Sequence, residues 1–151
     1  MAESRATNRA LGRAWALLCL CLALQVFDEA ATGFLGVYNP TVIALRERLG
    51  WWPMPTFGFG MWLGGLAVVC VVLLMLTGAV ARSARGTRVL AYGFAEVMLL
   101  NAAAHTLATI FGRTVASVTF SRPAPGFWSS PVMAAAAIYL LYQLRRPATA
   151  Q

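Results

Sequence analysis

Four polar residues interrupt the first long apolar run of the chain and share one helical face. Gln25, Asp28, Glu29 and Thr32 stand at positions i, i+3, i+4 and i+7, a spacing that places them in a single stripe on a helix. An ionisable group inside a membrane-spanning helix costs about 2.5–3.5 kcal/mol on the insertion scale. Two adjacent acids in such a run therefore indicate a functional site.

A second polar stripe, which includes the only histidine, lies in a later apolar run. Asn101, His105 and Thr109 stand at i, i+4 and i+8, again on one helical face. If both runs cross a membrane in the same direction, the rise of about 1.5 Å per residue places His105 and the two acids in one layer. Glu96 falls on about the opposite face and nearer the cytoplasm, so we expect it to contact another helix or to form a second polar layer.

The acids and the imidazole are compatible with two kinds of chemistry. A buried carboxyl group beside an imidazole can exchange a proton with it near neutral pH. In this interpretation Asp28, Glu29 and His105 perform acid–base catalysis, with Gln25 and Asn101 in support. The oxygen and nitrogen donors of Asp28, Glu29 and His105 could instead hold a divalent metal ion. A structural role is a third interpretation, since polar side chains often tie membrane helices together.

The composition is typical of a membrane protein. Of the 151 residues, 60% are hydrophobic and 11% are charged, against roughly 45–50% and about 25% in soluble domains. The net charge of +7 is the balance of 12 basic and 5 acidic residues. All the basic residues are arginine, in short clusters between the apolar runs. No cluster is interleaved with aromatic residues, so we expect no nucleic-acid binding. Anionic headgroups of membrane lipids are the expected partners of these arginines.

The apolar runs predict an all-α integral membrane protein, a four-helix bundle that forms a single domain. We expect spans at about 14–37, 57–80, 89–111 and 127–144, each near the roughly 20 residues that cross a bilayer. Asn39 and Pro40 are typical of a helix start, with Asn39 as the cap, so a short interfacial helix is predicted at about 40–49. The prolines of the connection 112–125 exclude a regular helix throughout it.

Small residues and arginines indicate how the spans pack and how they are oriented. The second span carries Gly60 and Gly64 in a G-x-x-x-G pair, which would let a neighbouring helix approach closely. The segments on the side of the two termini hold eight arginines and those on the other side hold four. Because positive charge accumulates on the inner side of a membrane, both termini are predicted to be cytoplasmic.

The order of these motifs resembles that of the HXXEE-domain family of small multi-spanning membrane proteins. The His-x-x-Glu-Glu signature falls on Gln25-Val26-Phe27-Asp28-Glu29, with the last Glu retained, Asp for the first Glu and Gln for His. Asn101-Ala102-Ala103-Ala104-His105 matches a later motif, and Pro125-Gly126 matches the turn before the last helix. The resemblance covers about residues 14–144 and implies a multi-helix membrane fold without a particular activity.

One residue of the signature bears on a metal site. Gln25 is neutral and a poor ligand for most transition metals, so a metal centre of the family would be altered or lost in this chain. A hydrogen bond between Gln25 and Asn101 is expected in either case.

The leading hypothesis is a multi-pass membrane protein whose polar site acts on a lipid-like small molecule, because the site opens within an apolar bundle. No nucleophile is indicated, since Cys19 and Cys21 lie below the site and Ser129 and Ser130 fit the first turn of the last helix. One alternative is transport of a proton, metal ion or solute along Glu96, Asn101, His105 and the first-helix acids, in a homo-oligomer. Another is an accessory membrane protein whose partner satisfies the polar groups.

Overall fold

The computed structural model describes residues 2–82 and 85–146, and the side chains of residues 8–82 and 86–146. These residues are mostly helical, which confirms the all-α class. The elements in chain order are α1 (Ala2–Ala31), α2 (Leu35–Leu49), α3 (Phe59–Met75), α4 (Thr77–Ala81), α5 (Arg85–Phe111), β1 (Arg113–Val115), β2 (Val118–Thr119) and α6 (Ser130–Arg145).

Three helical stretches are long and apolar enough to cross a membrane. They are Asn8–Ala31, Phe59–Ala81 and Gly86–Phe111. The fourth predicted span, 127–144, corresponds to α6, which begins only at Ser130 and has 16 residues. It falls short of the roughly 20 residues of a typical span, because residues 125–129 form turns instead of helix.

The first predicted span ends earlier than expected, at Ala31 instead of residue 37. Gly33 has φ +77°, a left-handed conformation that glycine adopts without strain. The Phe34 N–H then donates to the Glu29 carbonyl at 2.9 Å, which is the closing hydrogen bond of a Schellman motif. This turn fixes where α1 ends and therefore the position of Glu29, two residues before that end.

The core is built on one face of α1. Its buried apolar residues are Leu11, Trp15, Leu18, Leu22 and Val26, which recur every three or four residues and so form one stripe. This stripe packs against α3, α4 and α6, and α6 packs in turn against α5. Gln25 and Glu29 continue the same stripe, so the periodicity that buries the apolar residues of α1 also buries these two polar residues.

The helix α3 lies at the edge of the bundle. Most of its side chains are exposed, with Trp62 and Cys70 as its buried residues. The expectation that Gly60 and Gly64 allow a close helix approach within this chain is wrong, since a Cβ on either glycine would meet nothing within 4 Å. The close contact occurs elsewhere, where a Cβ on Gly12 would lie 2.8 Å from the Cβ of Ala81.

The predicted interfacial helix is longer than expected and starts differently. It begins at Leu35, so Pro40 lies inside it and Asn39 is not its cap. The Asn39 amide instead pairs with the backbone of Phe57, donating to its carbonyl at 2.9 Å and accepting from its N–H at 3.0 Å. Asn39 therefore anchors the start of the second span to α2.

The connection after α5 is not helical, as predicted. Its strands β1 and β2 form a short antiparallel hairpin, which packs against α2. The hydroxyls of Thr41 and Thr114 are hydrogen-bonded across that contact. The segment that follows crosses back over the ends of α1 and α5, and it brings Pro125 and Gly126 to the polar stripes.

Candidate functional site

A buried carboxyl–imidazole pair lies at the centre of the candidate site. His105 Nε2 is 2.9 Å from Glu29 Oε1, and the side chains are 9% and 5% exposed, respectively. The helices α1 and α5 supply the two residues, each from its buried face. The Phe34 ring lies against the imidazole, with centroids 5.7 Å apart, and shields it on one side. The predicted meeting of the two stripes is thus present at this pair.

The second nitrogen of His105 determines which protons the pair can hold. His105 Nδ1 lies 2.5 Å from the Pro125 carbonyl oxygen. A carbonyl only accepts hydrogen bonds, so Nδ1 carries a hydrogen and donates it. The Nε2···Oε1 contact then contains one proton, either on the imidazole or on the carboxyl group. This arrangement is suited to passing a single proton between Glu29 and His105.

Gln25 holds the Glu29 carboxyl from the other side. Its Nε2 donates to Glu29 Oε1 at 3.1 Å and to the Gly126 carbonyl at 2.9 Å, which uses both amide hydrogens. Its Oε1 accepts from the Ser129 hydroxyl at 2.6 Å. The amide is 1% exposed and paired at both ends, so it positions Glu29 rigidly.

Asp28 belongs to a different part of the site from Glu29. Its Oδ2 accepts from the Ser129 N–H at 2.9 Å and lies 2.9 Å from the Ser129 hydroxyl oxygen, whose single hydrogen is shared between Asp28 and Gln25. Ser129 immediately precedes α6, where a carboxylate is favourable because unpaired N–H groups face it. Asp28 therefore connects α1 to the start of α6, and the expectation that it joins His105 is wrong.

This separation bears on the metal hypothesis for Asp28, Glu29 and His105. Asp28 bonds to Ser129 while Glu29 bonds to His105, so the three side chains do not converge. Among residues 8–82 and 86–146, no group of three or more His, Cys, Asp and Glu side chains is arranged to hold a metal ion.

Gly126 allows the loop before α6 to lie against the polar pair. Its φ is +78°, and a Cβ there would lie 2.6–2.8 Å from Gln25 Nε2, His105 Cε1 and Glu29 Cγ. Its N–H donates to the Thr32 hydroxyl at 3.1 Å, and its carbonyl also accepts from the Ser130 hydroxyl at 2.7 Å. Only glycine fits this position without displacing the side chains of the site.

The sequence alone does not single out Gly126, Ser129 and Ser130 as site residues. Its only signal is a Pro-Gly turn and two adjacent serines just before an apolar helix. Hydroxyl groups at a helix start indicate local capping. In the structure they bond across to α1, with a sequence separation of more than 100 residues.

Asn101 takes a different place from the one expected. It does not bond to Gln25, and its Oδ1 is buried without a hydrogen-bond partner among the described residues. Thr109, the third member of its stripe, accepts from the Ala124 N–H at 3.0 Å and so holds the loop before α6. Among the described residues, the Asn101 amide oxygen is therefore left without a hydrogen-bond partner, whereas Gln25, Glu29 and His105 are all paired.

Glu96 does not join the site. It is exposed on the outer face of α5, together with Val89, Leu100 and Leu107. The sequence placed it opposite His105, which this position confirms. A polar path from Glu96 through Asn101 to His105 is not formed, because Glu96 is directed away from the bundle interior.

Two apolar cavities meet at Glu29 and Asn101. One, of about 420 Å³, lies between α1, α3 and α5, and its polar lining residues are Gln25, Glu29 and Asn101. The other, of about 480 Å³, extends toward α2 and is lined by Tyr38 and Trp62. Both include Glu29, Leu66, Val69 and Asn101 in their walls. Such volumes and linings are typical of small-molecule sites.

Tyr38 is one of the residues that line the second cavity. Its hydroxyl donates to the Pro55 carbonyl at 3.0 Å, and its ring stacks on Phe57 with centroids 5.9 Å apart. Burial raises the pKa of the Tyr38 phenol, and the Arg46 guanidinium partly opposes this shift. Tyr38 therefore stays neutral at physiological pH and remains a hydrogen-bond donor.

A third cavity, of about 250 Å³, lies on the other side of the pair and is lined by His105, Pro125 and Thr114. Glu29 thus faces the two larger cavities while His105 faces the smaller one. No family model, curated protein or solved structure matches the chain.

Proposed function

We propose that this protein is an integral membrane enzyme that transfers protons to and from a lipid-like substrate. The observation that carries the proposal is the buried Glu29–His105 pair in the wall of an apolar cavity. Glu29 is the catalytic residue, because it lines the cavity that a substrate would fill. His105 is its proton partner, since it bonds to Glu29 from behind and faces another cavity.

The proposal includes a placement in the membrane. The three long apolar helices and the shorter α6 form four crossings, with both termini in the cytoplasm and the arginine clusters at the lipid headgroups. The site then lies in the outer half of the bilayer. We also propose that the chain is related to the HXXEE-domain family, on the signature at residues 25–29 and the motif at 101–105.

The proposed reaction needs no group beyond those of the site. Glu29 in its carboxylate form removes a proton from a carbon atom of the substrate, and the pair then returns a proton to the same or a neighbouring carbon. While Glu29 is a carboxylate, His105 carries a hydrogen on each ring nitrogen and donates from Nε2 to Glu29 Oε1 and from Nδ1 to the Pro125 carbonyl. The second oxygen of Glu29 takes the substrate proton, and this carboxyl hydrogen exchanges with solvent water before it is returned to carbon. General acid–base catalysis of this kind contributes about 10²–10⁴-fold to a rate.

The test is a deuterium-exchange experiment with membrane lipids. Purified protein in detergent is incubated with a total membrane lipid extract in D₂O, and the lipids are analysed by mass spectrometry. We expect one lipid class to gain deuterium at carbon with the wild type. Glu29→Gln should reduce the exchange rate at least about a hundredfold, because an amide cannot remove the proton.

Glu96→Gln is the matched control, since it makes the same substitution in a second membrane carboxyl outside the site. It should exchange deuterium at the wild-type rate. Equal incorporation by the wild type and Glu29→Gln, including none by either, would contradict the proposal.

A further inference from the structure

The unpaired amide oxygen of Asn101 is the starting observation. Its Oδ1 is buried and has no hydrogen-bond partner within the described residues. A buried acceptor without a partner costs about 1–3 kcal/mol, so a ligand that donates a hydrogen bond to Oδ1 would be favoured at this position. Asn101 lines both large cavities, together with Glu29.

The two cavities lie side by side along α3 and share the wall residues Glu29, Leu66, Val69 and Asn101, and together they are called the α3 groove. One end is lined by Leu73 and Leu90, and the other by Met54 and Phe57. The facing helices carry Gly93 and Gly65 in the walls, and a Cβ on either would meet nothing within 4 Å. The groove therefore has room for an extended chain, and its walls are almost entirely apolar.

The depth of Asn101 restricts the polar group that can reach it. Asn101 lies about 15 Å before the end of α5 at 1.5 Å per residue. A charged headgroup at that depth would pay the cost of an ion in hydrocarbon. A hydroxyl group avoids that cost, and it both donates and accepts, so it can pair with either end of the amide.

We propose that Asn101 determines specificity by binding the hydroxyl group of a neutral long-chain alcohol in the α3 groove. The inference rests on the proposed function, because it names the substrate class of the same site. Glu29 lies in the same walls, so a carbon next to the bound hydroxyl would be presented to its carboxyl group.

The test compares 1-dodecanol with dodecyl methyl ether, in which a methyl group replaces the hydroxyl hydrogen and so removes the donor. Equilibrium binding to the purified protein is measured by native mass spectrometry, which requires no turnover. The wild type should bind the alcohol about two- to tenfold more tightly than the ether, the value of one net hydrogen bond. Asn101→Leu should bind both equally, and Leu100→Ala, on the exposed face beside it, should keep the preference.

A second variant tests the groove itself. Gly93→Leu places a side chain in the cavity where no atom now lies, and it should weaken the binding of both probes at least tenfold without unfolding the protein. The inference is overturned if the wild type binds neither probe or shows no preference, if Asn101→Leu keeps the preference, or if Gly93→Leu binds both probes like the wild type.

The two proposals fail in different ways. If the wild type prefers the alcohol but exchanges no deuterium, the proposed chemistry is wrong and the binding inference stands. If deuterium is exchanged without any preference for the alcohol, the binding inference alone is wrong. His105→Gln should keep the alcohol preference while it slows exchange, because His105 does not line the groove.

Discussion

Two glutamates in long apolar helices have opposite environments, Glu29 in the polar site and Glu96 on the outer face of α5. Glu29 is 4% exposed, accepts one hydrogen bond from Gln25 and shares another with His105. Glu96 is exposed and has no hydrogen-bond partner among the described residues. Both residues lie in helices that are long and apolar enough to cross a membrane. The type of helix therefore does not distinguish them, whereas the helical face on which each residue lies does.

The buried stripe of α5 explains the difference. It consists of Ala91, Ala95, Met98, Ala102 and His105, which recur at intervals of three and four residues. Glu96 is next to this stripe in sequence, yet a rotation of about 100° per residue moves it onto the exposed face. A carboxyl group at a position of the buried stripe would instead contact α1 and the loop before α6.

The largest loss of stability is expected at Gly126, where the site has no space for a side chain. Gly126→Ala introduces a left-handed alanine, which costs about 1–2 kcal/mol, and its Cβ would lie 2.6–2.8 Å from three side chains of the site. We expect a loss of about 4 kcal/mol in the free energy of unfolding, because overpacking adds about 1–3 kcal/mol. Chemical unfolding of the purified protein measures this loss.

Gly64→Ala is the matched control for Gly126→Ala. A Cβ on Gly64 meets nothing, and alanine is favoured over glycine in a helix by about 1 kcal/mol, so the variant should be as stable as the wild type or slightly more stable. Equal stability of both alanine variants would show that the loop does not lie against the polar pair.

The second prediction concerns the coupling between Glu29 and His105. His105→Leu should lower the free energy of unfolding by about 3 kcal/mol, because it leaves the Glu29 carboxyl buried without its partner. Glu29→Leu should cost a similar amount. The double variant should lose at least 1 kcal/mol less than the sum of the single losses, since both polar groups are then removed. Additive losses would contradict a direct pairing.

A smaller effect is expected at the connection between Asp28 and α6. Ser129→Ala removes the hydroxyl bonds to Gln25 and Asp28 but keeps the N–H bond. We expect a loss of about 1–2 kcal/mol in unfolding free energy, the usual cost of unsatisfied buried groups. Ser117→Ala, at an exposed turn of the hairpin, should change stability by less than about 0.5 kcal/mol. If Ser129→Ala leaves the unfolding free energy unchanged, the Ser129 hydroxyl does not stabilise the connection between α1 and α6.

Sequence periodicity predicted the helical class, the stripes on α1 and α5 and the meeting of Glu29 with His105. These features depend on local spacing, which sequence shows directly. The separation of Asp28 from Glu29 could not be predicted, because it depends on where Ser129 lies in three dimensions. The end of α1 at Gly33, the role of Asn39 and the start of α6 likewise depend on turns and long-range hydrogen bonds.

The smallest effect is expected on the outer face of α5, and it tests the comparison most directly. Glu96→Leu makes the same substitution as Glu29→Leu, in another long apolar helix, but it removes no hydrogen bond found among the described residues. We expect the unfolding free energy to change by less than about 0.5 kcal/mol, against about 3 kcal/mol at Glu29. Measuring both variants under one detergent condition cancels the general effect of removing a carboxyl group from a long apolar helix. A loss above 1 kcal/mol at Glu96 would mean that a second copy or another membrane partner covers this face, since a carboxyl within a span is usually paired.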